Sequence, residues 1–175
     1  MATEIMRPTG DITTTWGNPT WSKINDNVLQ PSAGDGITAG RVNTESTESV
    51  VSFGTPIGVG TVTSITVWWY FNCELDDFAI EARVKTNGIW SSPQITGRAN
   101  SSTGAYIWES LTWSGLSVST SSLSLQVGQQ PDISFAHGDR LNCDVMYAII
   151  TYTPSGDGDT ISGRRAKFFS FLDDD

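Results

Sequence analysis

The chain has 175 residues, 38% of them hydrophobic and only 17% charged, and its 10 basic and 19 acidic side chains give a net charge of −9. That apolar share supports a packed core and excludes wholesale disorder. The acidic balance excludes nucleic acid as the main partner, because counterion release needs clustered Lys and Arg. No apolar run reaches the ~20 residues of a membrane-spanning helix. The 21 Ser, 21 Thr and 7 Trp, set against few strong helix formers, favour strands.

Residues 1–47 read as an N-terminal arm and long loop. Arg7-Pro8-Thr9-Gly10-Asp11 supplies turn residues before three threonines and Trp16. Trp16 and Trp21 flank a Gly-Asn-Pro turn, and residues 25–40 are rich in Asn, Asp, Gly and Pro around Ile37. The first eleven residues carry two acids and lack an apolar core segment, so the expectation is a chain made in the cytoplasm without a secretion signal.

Residues 48–154 read as a β-sandwich. The first strand is 49–53, closed by Gly54 and Pro56. In 61–71, Ile65, Val67, Trp69 and Phe71 fall on one face, and Val62, Trp68 and Tyr70 on the other with Ser64 and Thr66; a strand apolar on both sides is central or covered. Phe78, Ile80, Ala82 and Val84 alternate with Ala79, Glu81, Arg83 and Lys85, and Asn87-Gly88 predicts a tight hairpin into Ile89-Trp90. A shorter strand follows at 94–97. Tyr106 and Trp108 alternate with Ile107 and Glu109, 111–119 reads as an edge segment broken by Gly115, and Leu123, Leu125 and Val127 mark another half-buried strand. The last long strand, 141–153, places Cys143, Val145, Tyr147 and Ile149 opposite Asp144, Met146, Ala148, Ile150 and Tyr152, and Pro154 stops it. About eight strands with regularly spaced turn signals and little helix define the expected class: an all-β, antiparallel, jelly-roll-like β-sandwich.

Residues 155–175 read as a C-terminal arm. A Ser-Gly-Asp-Gly-Asp link precedes a basic cluster (Arg164, Arg165, Lys167), an aromatic cluster (Phe168, Phe169, Phe171, with Leu172) and three aspartates. Four large apolar groups each gain about 1.5–3 kcal/mol on burial. They are therefore expected to pack, either as a final strand of this chain's own sheet or against a neighbouring subunit.

No motif for catalysis emerges. His137 is the only histidine and sits in a turn-like Ala-His-Gly-Asp. No G-x-S-x-G elbow is present, and no calcium-loop or C-x-x-C spacing occurs. Cys73 and Cys143 lie inside apolar strands and are read as two buried thiols, although a bond between them is left open. Glu74, Asp76, Asp77, Glu81 and Glu109 are read as solvated charges; a glycosidase needs two of them facing each other across a cleft. Trp68 and Trp90, if exposed, are candidates for stacking sugars, whereas Trp69 is read as core. The expectation is a protein that is not an enzyme and binds no cofactor or metal.

The opening Arg-Pro-Thr-Gly-Asp-Ile with a following Trp, the strands at 62–71 and 78–84, the run from Trp113 through Leu116 to Leu123-Ser-Leu-Gln-Val127, and the closing strand 145–152 resemble a jelly-roll-like β-sandwich domain of tailed-bacteriophage virion proteins. These include capsid decoration (cement) proteins and tail-associated proteins. The resemblance covers most of residues 5–153 and departs from the pattern at Asn25-Asp26-Asn27 and after Pro154. It implies a non-enzymatic virion protein on the capsid surface. The partners it implies are the major capsid protein and sister copies of this chain, in a homo-oligomer around a threefold axis. Arg7, Trp16, Arg164, Arg165, Phe168, Phe169 and Phe171 are the candidate interface residues, since Arg and large aromatics dominate binding hot spots. The alternative is a tail-associated carbohydrate- or receptor-binding module.

Overall fold

A computed structural model describes residues 1–13, 24, 37–39, 48–73, 77–100, 103–132 and 141–155. The described residues form two antiparallel sheets packed face to face. The front sheet has the order β1 (Ala2–Met6), β11 (Leu141–Pro154), β5 (Gly60–Cys73), β9 (Ile107–Ser119), with β3 (Ile37–Ala39) also pairing β11. The back sheet has the order β2 (Pro8–Thr13), β4 (Ser49–Phe53), β10 (Leu125–Pro131), β6 (Ile80–Thr86), β7 (Ile89–Trp90), with β8 (Gln94–Ile95) also pairing β6. From β4 to β6, and again from β9 to β11, each long strand crosses to the opposite sheet, so the core closes only when distant segments meet. One 3-10 turn, Thr120–Ser122, is the only helical element among the described residues. The all-β sandwich expected from the sequence is the observed class, drawn with eleven strands because several run for only two or three residues.

The core lies between the sheets. From the front come Ile65, Val67, Trp69 and Phe71 of β5 with Met146, Ala148 and Ile150 of β11; from the back come Ile80, Ala82 and Val84 of β6 with Leu125 and Val127 of β10, all buried. The alternation read in 65–71 and 80–84 is thus the alternation of the pleat. One hydrogen bond crosses this core: the Trp69 indole Nε1 donates to Gln129 Oε1 at 2.5 Å. It joins the central strand of the front sheet to that of the back, and both side chains are fully buried. The Asn87-Gly88 turn has positive φ at both residues, 50° and 86°, the geometry that lets two residues reverse a right-handed hairpin.

Three expectations change. Val62 faces the core, not the outer face, because β5 and β9 slip register between Val62 and Ser64 and the bulge inverts the side-chain phase. A second bulge between Cys143 and Val145 breaks the single alternation expected for β11: Cys143 and Met146 turn inward while Asp144 takes the extra position. The segment expected as an N-terminal arm is sandwich in its first thirteen residues. Residues 2–6 pair with 148–152 of β11, and residues 8–13 pair with β4. Pro8 is tolerated there because β2 is an edge strand, where a missing donor costs no ladder bond on the open side.

Both cysteines are buried and unbonded. Burial pushes the Cys73 thiol up to about 11, and Cys143 higher still, so neither is a thiolate at neutral pH.

Candidate functional site

The outer face of the front sheet carries a row of rings. Because side chains alternate, Thr66, Trp68, Tyr70 and Asn72 of β5 all point away from the core. The register then sets Trp68 opposite Tyr147 on β11 and Tyr70 opposite Trp108 on β9. Trp68 and Tyr147 lie nearly parallel with centroids 6.2 Å apart; Tyr70 is 4.9 Å from both Tyr106 and Trp108; Trp108 meets Tyr147 edge-on at 5.8 Å. Arg7, in the one-residue link between β1 and β2, places its guanidinium 6.0 Å from the Tyr147 ring centre.

Polar pairs bound the row at both ends. Thr66 and Thr112 share a 2.9 Å hydroxyl hydrogen bond at one end. At the other, Asn142 Nδ2 donates to Asn72 Oδ1 at 3.0 Å, and Asn72 Nδ2 donates to the Gly104 carbonyl at 2.9 Å. The bulge residue Asp144 is buried and accepts from the Tyr106 hydroxyl; burial first, and the Asp144 carboxylate second, drive the Tyr106 phenol well above its usual range. All five rings are half-buried, and the buried Trp68 indole Nε1 has no hydrogen-bond partner. Rings with faces and edges toward solvent, one arginine and an orphaned indole N–H constitute a surface for binding a partner rather than for proton transfer.

The outer face of the back sheet is charged. Arg83 Nε and an Arg83 terminal nitrogen donate to the two Glu48 oxygens at 2.6 and 2.5 Å, and this pairing holds the guanidinium charged. The same guanidinium lies 4.4 Å from the Trp90 ring centre, with Lys85 Nζ at 5.4 Å. Gln130 donates to Glu81 at 3.1 Å. Glu48, Glu81, Ala82, Arg83, Pro93 and Gln130 line a cavity of about 220 Å³.

Of the residues singled out in the sequence, Arg7 joins the front row. Trp16, Arg164, Arg165, Phe168, Phe169 and Phe171 lie outside the described residues, as do His137, Glu74 and Asp76. Asp77 is exposed, Glu81 faces the back cavity, and Glu109 on the front sheet turns its carboxylate to the Gly97 amide at 3.3 Å. Glu81 and Glu109 therefore do not face one another. Trp68 and Trp90 point outward from opposite sheets and form no common platform. Among the described residues no three His, Cys, Asp or Glu side chains are grouped to hold a metal, and no helix is long and apolar enough to cross a membrane. Tyr70, Tyr106, Trp108 and Tyr147 were missed as a site. The Trp-x-Tyr and Tyr-x-Trp spacings put rings on one face of a strand, but only the register shows that the strands are neighbours.

Compared with known proteins, the chain matches no protein-family model, and a search of the curated proteins finds no match to it.

Proposed function

We propose that the protein is a non-enzymatic virion structural protein, a head decoration protein that binds the major capsid protein through the aromatic face of its front sheet and stabilises the shell. The observation that carries the binding role is the row Trp68, Tyr70, Tyr106, Trp108 and Tyr147 with Arg7 on the outside of a sandwich, where solvent-facing positions are ordinarily polar. Half-buried rings with an arginine at one flank are the composition of a protein–protein anchor. The assignment to a virion rests on the sequence resemblance; the row gives that reading a contact surface. Sister copies meeting around a threefold axis of the shell complete the proposal.

The test uses the intact chain and shells of the parent particle assembled without it. The wild-type chain co-sediments with the shells and raises their thermal disruption temperature, whereas Trp108→Ala combined with Tyr147→Ala loses at least ~100-fold in affinity, the effect of two hot-spot residues. Retained binding by the double variant would remove the front face from the interface, and absence of the wild-type chain from heads would overturn the decoration role.

A second reading, a tail-associated carbohydrate- or receptor-binding module, is favoured by the back cavity, where Glu48, Glu81, Arg83 and Gln130 present planar hydrogen-bonding groups beside Trp90. Glycan-array binding abolished by Trp90→Ala, with shell binding absent, would select it.

A further inference from the structure

The sandwich leaves one corner uncovered. Ile5 of β1 is 56% exposed, Ile57 90% and Val59 67%, although these are large aliphatic side chains. Ile5 and Ile57 line one depression of about 190 Å³ with Glu4, Met6, Arg7, Thr9, Gly54 and Thr55. The corner is a built surface. Both Glu4 carboxylate oxygens accept from the Ile57 amide, at 2.9 and 3.1 Å, and one accepts from the Gly58 amide at 3.0 Å, so the loop is fixed against β1. Gly58 and Gly60 lie so close to Tyr152 and the Thr153 carbonyl that an added Cβ would collide with them, which locks the loop against the end of β11 as well. Soluble proteins seldom leave such a group of aliphatic side chains uncovered.

The chain itself leads to this corner. The last described residue, Ser155, donates its amide to the Val59 carbonyl at 3.2 Å. Twenty residues follow, and they include Phe168, Phe169, Phe171 and Leu172 and then three aspartates. The thirteen residues from Ser155 to Phe168 extend to at most ~43 Å, ample for a return to a depression next to their point of departure. A tethered segment meets such a site at millimolar effective concentration.

We propose that in the free chain residues 168–172 fold back onto the corner formed by Ile5, Ile57 and Val59, with the aromatic side chains filling the depression. The occupant is this chain's own C-terminal segment. The proposal is independent of the virion reading.

Hydrogen–deuterium exchange on the full-length chain tests it. Replacing Phe168, Phe169 and Phe171 together with Ser speeds exchange in residues 2–7 and 55–60 about tenfold while β10 is unchanged, as expected when local protection alone is lost. Ile57→Asp with Val59→Asp, made in the intact chain, speeds trypsin cleavage after Arg164 and Arg165 by a similar factor. Exchange unaltered by the Phe replacements, or cleavage unaltered by the corner replacements, overturns the proposal. So does protection that appears only with rising protein concentration and a doubled mass in light scattering, because that result places the segment on a second copy.

Discussion

The two outer faces of the sandwich are built from the same pleat yet are finished differently. On the back, each charged group has an answer in the chain itself: Glu48 clamps Arg83, Arg83 covers Trp90, and Gln130 holds Glu81. On the front, rings answer rings, and the Trp68 indole N–H has no acceptor. A face whose polar groups are satisfied internally gains little from a partner, because any partner must first displace those bonds. A face of half-buried rings gains from every ångström of further burial. The difference therefore marks the front as the face for a protein partner.

The harshest way to break this comparison is to remove the floor that both faces share. Trp69→Ala deletes a fully buried indole and strands Gln129; a loss of about 3–5 kcal/mol is expected in urea unfolding, with both faces disrupted together. Gly60→Ala places a Cβ against the Thr153 carbonyl, which is backbone and cannot swing aside, and should cost about 1–3 kcal/mol in the same measurement. The comparison sharpens with paired surface changes. Trp108→Ala removes ring contacts worth about 0.5–1.5 kcal/mol of stability but should abolish shell binding. Trp90→Ala on the back removes cation–π contacts worth about 0.5–1 kcal/mol and should leave shell binding intact. Glu48→Gln is smaller again. The Arg83–Glu48 pair is partly exposed, at 37% and 24% for the two side chains, so the expected cost is at most about 1 kcal/mol, reduced further by salt in thermal melts.

The smallest effect is a pH dependence. Cys73 ionises near 9.0 when unfolded and near 11 when folded, chiefly because burial disfavours the thiolate. The folded state thus binds the proton more tightly, its contribution is complete below pH 9, and stability falls as pH rises from about 9 to 11. Replacing Cys73 with Ala should flatten the urea-midpoint profile across that window. Sustained stability of the wild-type chain through pH 11 would contradict the assigned burial.

Much of the sandwich was legible along the chain because a half-buried strand writes its burial as alternation. Residues 49–53, the 80–84 alternation, the Asn87-Gly88 turn and the stop at Pro154 coincide with observed elements for that reason. The bulges at 62–64 and 143–145 were not legible. A bulge adds one residue to one strand, and nothing in Thr-Val-Thr-Ser or Cys-Asp-Val declares which residue is extra; the partner strand decides. The first thirteen residues looked like an arm because Pro, Gly and Asp interrupt any strand pattern, yet as edge strands they need only one partner each.

What the sequence determined by itself is the class and the core: β-rich composition and period-two patterning choose strands and their buried faces by local propensity and hydrophobicity. What only the tertiary structure decided is adjacency. The aromatic row exists because β5 lies between β11 and β9 in one register, and the Trp69–Gln129 bond exists because β5 faces β10. These meetings join residues about 40 to 80 positions apart, and no local pattern encodes them, because register is fixed by the simultaneous burial of every strand in the two sheets.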